Sequence, residues 1–307
     1  METSRPDSHS PAPPGAAVPT TGAPPRGVRA TAEAFGHEWT THGDLASLYP
    51  TEADLEREFS TYRIPADFFA GRRVLDAGCG MGRYSYLAAR QGARCVVGMD
   101  LHDGVYAARR LTAPLGNVRL LKGSIFALPF REGQFDSVMS IGVLHHTGDT
   151  PAAFQAVARM VRPGGRLFVQ VYATRGEAQD RRMARLLRWT ARMPRRLLYA
   201  GCVLAVALRA TPILKWLVQG IDHYVQIVSW SRRRSFWRNV ADTFDWHCCP
   251  YRSYHTSDEV MGWFRKAGFV EVADTNPAYG GGINVMGVRP GSRHEFAGGQ
   301  STPPAGR

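Results

Sequence analysis

At 307 residues, 44% of them apolar, the chain can bury one sizeable core with additions, which excludes a disulfide-stapled miniprotein and a chain disordered throughout. Its five cysteines form no spaced framework and fit a reducing cytoplasm. A formal charge of +12 admits acidic partners without assigning one, so its placement along the chain decides what it means.

Residues 1–30 are rich in Pro, Ala, Gly, Ser and Thr and carry almost no large apolar side chain. They cannot offset the entropy of ordering and read as a disordered tail, with no apolar stretch of signal-peptide length. Residues 291–307 read the same way, which leaves 31–290 as one domain. Its start, Ala34-Phe35-Gly36-His37-Glu38-Trp39, places two bulky rings that either close over a ligand or plug the edge of a sheet. Leu55 to Tyr62 has the spacing of a short amphipathic helix.

The rest is arranged around Arg73 to Ser85. Val74 and Leu75 end a buried strand, Asp76 follows, and Gly78, Gly80 and Gly82 allow a sharp turn before a helix that begins at Arg83. A dinucleotide loop reads G-x-G-x-x-G. This one reads D-x-G-x-G-x-G, and a carboxylate aimed into the loop suits a cationic ligand better than a diphosphate. A second strand, Arg94 to Met99, ends at Asp100, 18 residues after Gly82, where an acid can accept from both hydroxyls of a ribose; Leu101 follows it. A third strand, Asn117 to Leu121, leads into Lys122-Gly123-Ser124-Ile125 and Ala127-Leu128-Pro129-Phe130. The fourth, Phe135 to Ile141, opens into Gly142-Val143-Leu144-His145-His146-Thr147. A helix end and a Pro163-Gly164-Gly165 turn precede the fifth, with Tyr172 at its end.

These segments in this order resemble the class I S-adenosylmethionine (SAM)-dependent methyltransferases, strongly over about 70–175 and loosely over 250–290, in a bacterial group with a Gly-Val-Leu-His-His-Thr fourth strand. The resemblance implies an α/β fold: a Rossmann-like, doubly wound, seven-stranded sheet, six strands parallel and one antiparallel, with a helical insertion before the last helix and hairpin. It implies SAM as cofactor, with Gly78, Gly80 and Gly82 against its amino acid part, Asp76 toward its ammonium and Asp100 on its ribose. Leu101, Ser124, Ile125 and Ile141 complete the lining that it implies. Ser124 departs from the family, which carries Asp or Glu there, so adenine contact passes through a hydroxyl or a backbone amide.

Proton handling falls to His145 or His146 at the mouth of the fourth strand, since an imidazole is half available as a base near neutral pH. The alternative is that both are structural. Tyr172, His223, Tyr224, Tyr254 and His255 are candidates for orienting an acceptor. No metal is expected: His247-Cys248-Cys249 lacks C-x-x-C spacing, and no acidic cluster suggests magnesium.

Residues 175–238 break the α/β rhythm and hold 14 Arg and Lys against three acids, a net +11 that is nearly all of the chain's +12. Arg181, Arg182, Arg185, Arg188 and Arg192 surround Met183, Leu186, Leu187 and Trp189 as on a basic amphipathic helix. The apolar run Leu197 to Leu208 falls short of the roughly 18 to 20 residues that span a bilayer. Three readings stand: a helical cap over the substrate pocket, a membrane-surface contact through 181–219, or a nucleic-acid surface. Beyond it, Thr256-Ser257-Asp258-Glu259 reads as a capping box, followed by a helix and a hairpin of Phe269 to Ala273 and Ile283 to Val288.

The expected function is methyl transfer from SAM to an oxygen, nitrogen or carbon of a small-molecule acceptor, of the kind met in specialised metabolism. The alternatives are a tRNA base methyltransferase, since the core also resembles wobble-uridine methyltransferases with a His-His fourth strand, and a SAM-binding protein that recruits a partner or membrane. The expected location is cytoplasmic, with peripheral membrane contact as the variant; oligomeric state is not indicated.

Overall fold

The computed structural model describes residues 31, 48–211, 216, 231–232, 234–249, 251–280 and 282–291; the expectations for both tails, for Ala34 to Trp39 and for His223 and Tyr224 lie outside these residues. Strands β1 (Arg73–Ala77), β2 (Cys95–Asp100), β3 (Val118–Lys122), β4 (Phe135–Ile141) and β5 (Val161–Val171) pair in parallel in the order β3-β2-β1-β4-β5. On the far side β7 (Ile283–Val288) lies antiparallel between β5 and β6 (Val270–Asp274), giving the expected six parallel strands and one antiparallel.

Side-chain alternation along the strands feeds two cores. Val74, Val96, Met139 and Phe168 pack with Leu55, Phe59, Phe68, Phe69 and Leu87 on one face. Leu75, Val138, Leu167 and Val285 pack with Phe154, Val157, Val260 and Phe264 on the other. The helices behind these faces are α1 (Glu52–Ser60), α2 (Arg83–Arg90), α3 (Gly104–Thr112), α4 (Thr150–Arg159) and, after the insertion, α8 (Ser257–Lys266). At about 1.5–3 kcal/mol per large apolar side chain buried, these two layers dominate the favourable side of folding.

Two local expectations are corrected. The Pro163-Gly164-Gly165 turn is not a lead-in to the fifth strand but part of β5, accommodated by a register shift against Phe135 and Ser137, and its backbone still bonds Arg289. The capping box at α8 is half formed: the Thr256 hydroxyl accepts from Glu259 N at 3.2 Å, whereas the Glu259 carboxylate turns to His255 Nδ1 at 3.0 Å. The full reciprocal box sits at α1, between Thr51 and Asp54.

The insertion forms α5 (Glu177–Thr190), α6 (Arg195–Ala210) and α7 (Phe236–Cys248), and α7 runs through the boundary drawn at residue 238. Leu198, Cys202 and Val206, one per turn of α6, pack on Val240, Phe244 and Cys248 of α7. No described helix is long and apolar enough to cross a membrane.

Candidate active site

The carboxyl ends of β1, β2 and β4 converge on the glycine loop. Gly78 and Gly82 hold φ of 92° and 85°, and a Cβ on them would lie 2.4 Å from Val143 Cγ2 and 2.7 Å from Ala108 Cβ. Both demands exclude any other residue, so these two glycines let β4's exit and α3 close on the loop. Gly80 N donates to Asp100 Oδ2 at 2.7 Å, which ties the loop to the tip of β2. The other oxygen of Asp100 accepts from His102 N at 3.3 Å and faces His102 Nε2 at 3.2 Å, while His102 Nδ1 accepts from Gly104 N.

Asp76 is 1% exposed and accepts from the Ser85 hydroxyl at 2.6 Å. Burial pushes its carboxyl up to about 7; the Ser85 bond opposes this and the neighbouring Asp100 charge adds to it. Ser124 accepts from Phe126 N at 3.2 Å and thereby caps the 3₁₀ turn Ile125–Ala127, so its hydroxyl is engaged at the turn. Ile125 and Ile141 are buried and Leu101 is half exposed.

A second cluster lies where β4 and β5 end. His145 is fully buried, its ring 4.2 Å from that of His146 and 3.9 Å from that of Tyr172. Neither of its ring nitrogens has a hydrogen-bond partner among the described residues. His146 Nδ1 donates to Tyr251 O at 2.9 Å, which fixes that imidazole against the backbone. Trp246 of α7 packs on Tyr172 at 5.1 Å, Tyr254 stacks on it at 6.4 Å, and the Arg252 guanidinium covers Trp246 and Tyr172 at 4.5 and 5.5 Å. Burial, then the charges of His146 and Arg252, hold His145 well below the ordinary histidine range; burial and Arg252 bring His146 to about 3. Both rings are therefore neutral at physiological pH, with burial raising the Tyr172 phenol so that it keeps its proton.

The extended segment 251–255 builds the wall of this cluster. Ser253 N donates to His145 O and His255 N to Tyr172 O, at 2.9 and 3.0 Å, which joins the ends of β4 and β5 by backbone alone. Side chains alternate across it: Arg252 and Tyr254 meet the Tyr172 rings, while Ser253 bonds Thr150 and His255 Nε2 at 2.8 and 2.9 Å.

The sequence model of a family described as a methyltransferase domain matches residues 75–169. This chain carries a class I SAM-dependent methyltransferase domain. Among curated relatives of the methyltransferase domain, a tRNA U34 carboxymethyltransferase of Alcanivorax borkumensis is 33% identical over 42% of this chain and 41% of its own length. A ubiquinone biosynthesis O-methyltransferase of Pseudomonas aeruginosa is 37% identical over 45% of this chain and 59% of its own. The chain thus spans about half the length of the curated relatives it matches. The structure of the Burkholderia thailandensis 1,6-didemethyltoxoflavin-N1-methyltransferase shares the fold, with a TM-score of 0.50 over 90% of this chain and 94% of that one at 19% identity.

Within the methyltransferase domain, the loop glycines, Asp76 and Asp100 converge at the strand ends as read from the sequence, and His145, His146, Tyr172 and Tyr254 gather in one ring cluster. His255 stands apart from them, between Ser253 and Glu259 with its ring against Trp263, as a brace for the wall. Sequence reasoning missed three contributors: His102 on Asp100, and Trp246 and Arg252 on Tyr172. Arg252 had a signal in its position, two residues before Tyr254 on one face of an extended segment.

Proposed function

We propose that the chain transfers the methyl group of SAM to an oxygen or nitrogen of a small organic acceptor, with His145 taking the acceptor's proton. The observation that carries this reading is a neutral, fully buried imidazole with both nitrogens unpartnered among the described residues, beside the glycine loop's strand ends. A buried polar side chain left in this state costs stability, and such costs concentrate where an incoming group completes the hydrogen bonding. The aromatic and guanidinium lining suits a planar acceptor, in line with the ubiquinone biosynthesis O-methyltransferases among the relatives.

The residues of the loop fit the cofactor. Asp100 already accepts two backbone N–H bonds and is aimed across the loop, and its two oxygens are the acceptor pair that the hydroxyls of a ribose diol need. Asp76 would hold the cofactor's ammonium, and Gly78, Gly80 and Gly82 would keep the backbone close to its amino acid part. When bound, SAM supplies a methyl carbon on a sulfonium whose leaving group is already activated. The chain's remaining work is to align the acceptor atom and accept one proton. An attacking hydroxyl becomes a strongly acidic oxonium as its bond to carbon forms, so even a weakly basic His145 takes that proton. Burial, with His146 and Arg252 adding to it, keeps the ring from being protonated beforehand.

The test supplies full-length protein with methyl-labelled SAM and a cell extract, then separates RNA, lipid and small-molecule fractions. Label is expected in the small-molecule pool, absent with Asp100→Ala. His145→Gln is expected to lower turnover by about 10²–10⁴-fold with SAM affinity unchanged. Label in RNA would overturn the acceptor class, and full turnover by His145→Gln would remove its role as base.

A further inference from the structure

We propose that the outer surface of α5 and α6 docks the chain on an anionic lipid bilayer, with arginines on the headgroups and an apolar ridge entering the acyl boundary. The inference does not depend on methyl transfer. The ridge is Trp189 of α5 at 75% exposure, Met193 in the connecting turn at 38%, and Leu197 and Leu204 of α6 at 57% and 60%. Leu197 and Leu204 are seven residues apart and share one face of α6, away from the Leu198, Cys202 and Val206 face that packs on α7. Single exposed apolar side chains are ordinary, but four large ones along one helix pair form a patch whose hydration opposes folding unless something covers it.

The charge beside the ridge identifies the cover. Arg182, Arg185, Arg188, Arg192, Arg195 and Arg196 form no ion pair among the described residues, whereas Arg181 pairs with Glu177. Arg195 and Arg196 occupy the first turn of α6, the end at which the helix dipole disfavours cations, so they do not serve the helix itself. Clustered guanidinium groups held in this way complement a phosphate-bearing surface. A nucleic-acid backbone would satisfy the arginines and leave Leu197 and Leu204 in water, whereas a bilayer satisfies both. With 16 residues at 1.5 Å rise, α6 is about 24 Å long, short of the ~30 Å hydrocarbon core, so it lies along the surface and does not cross.

The experiment floats full-length protein with vesicles of phosphatidylglycerol and phosphatidylcholine in equal parts, and with phosphatidylcholine alone. Retention is expected on the anionic vesicles at low salt and not on the neutral ones. Arg188→Gln/Arg192→Gln/Arg195→Gln is expected to weaken partitioning on the order of a hundredfold. Trp189→Ser/Leu197→Ser/Leu204→Ser, which leaves the charge intact, is expected to abolish retention while SAM binding and thermal unfolding confirm that the protein is folded. Failure of anionic vesicles to retain the protein overturns the proposal. So does retention unaffected by the serine variant together with displacement by single-stranded RNA, which would make the face a nucleic-acid surface. A concentration-dependent dimer that the serine variant dissolves, without vesicle binding, would assign the ridge to a second copy and likewise overturn it.

Discussion

Asp76 shows how a single carboxyl can be set against the stability of its own fold. Its folded-state value of about 7 stands some three units above the ordinary one, and the groups facing it are Ser85, Asp100 and, more remotely, Arg83. A raised carboxyl contributes stability that is complete below the unfolded value and lost as pH rises through 7, up to about 4 kcal/mol for three units. Asp76→Asn should therefore raise the melting temperature of the cofactor-free protein at pH 8 and leave it unchanged near pH 4, checked by calorimetry. Binding of a cationic amino acid moiety needs the ionised form, so SAM affinity is expected to fall about tenfold from pH 8 to pH 6 in the natural protein. In Asp76→Asn that dependence should vanish and affinity stay low throughout, and calorimetric titration at three pH values would read it. A flat profile in the natural protein would remove Asp76 from the ammonium site.

Among the elements, α1, α2 and α7 are joined by a buried ionic network. Glu58 of α1 takes a bidentate pair of bonds from Arg238 of α7, at 3.1 and 3.2 Å, and accepts from the hydroxyls of Tyr49 and Tyr84 at 2.8 and 3.2 Å. Arg238 and Arg234 share Asp242, and Arg83, the first residue of α2, donates to Tyr49. Burial pushes the Glu58 carboxyl up, yet Arg238, Arg83 and Arg234 outweigh it and hold it far below the ordinary range. Glu58→Gln leaves Arg238, whose side chain is 5% exposed, short of a countercharge and is expected to cost about 3–5 kcal/mol, measurable by denaturant unfolding. A cost below 1 kcal/mol would mean that water reaches the pair. None of this was legible in the sequence, because 180 positions separate Glu58 from Arg238 and no local pattern records such a pairing. Apart from the start of β5, where the Pro-Gly-Gly stretch is taken into the strand, the strands were legible to within a residue or two because alternation and glycine punctuation are local; the half-formed box at α8 was misread because Glu259 had a better partner in a histidine folded onto it.

At the scale of the whole molecule, the acid limb of stability gathers these groups with opposite signs. The lowered histidines His145 and His146 contribute stability above the unfolded value near 6.5 that is lost as pH falls below it, for His146 down to about 3, each by up to about 1.4 kcal/mol per pH unit. Asp76 works the other way between 7 and 4, so the net loss in that window should be near one proton's worth and should approach two in Asp76→Asn. Urea unfolding at pH 7, 6, 5 and 4 measures it, and a slope of zero would contradict neutral burial of the histidine pair. The sheet and the cofactor loop could be read from the chain because they are built from contiguous motifs. The ring cluster could not, since it is assembled from β4, β5, α7 and the segment 251–255, which are scattered over more than a hundred positions. That segment also divides labour in a way that bears on how such enzymes diversify. Its amides hold the two strand ends at fixed separation whatever side chains it carries, while Arg252 and Tyr254 alone confront the rings. Arg252 also donates to Trp246 O and Cys249 O at the end of α7, so of the two only Tyr254 is a position where one codon alters the surface met by the rings while every junction of the segment with the strands and that helix is kept.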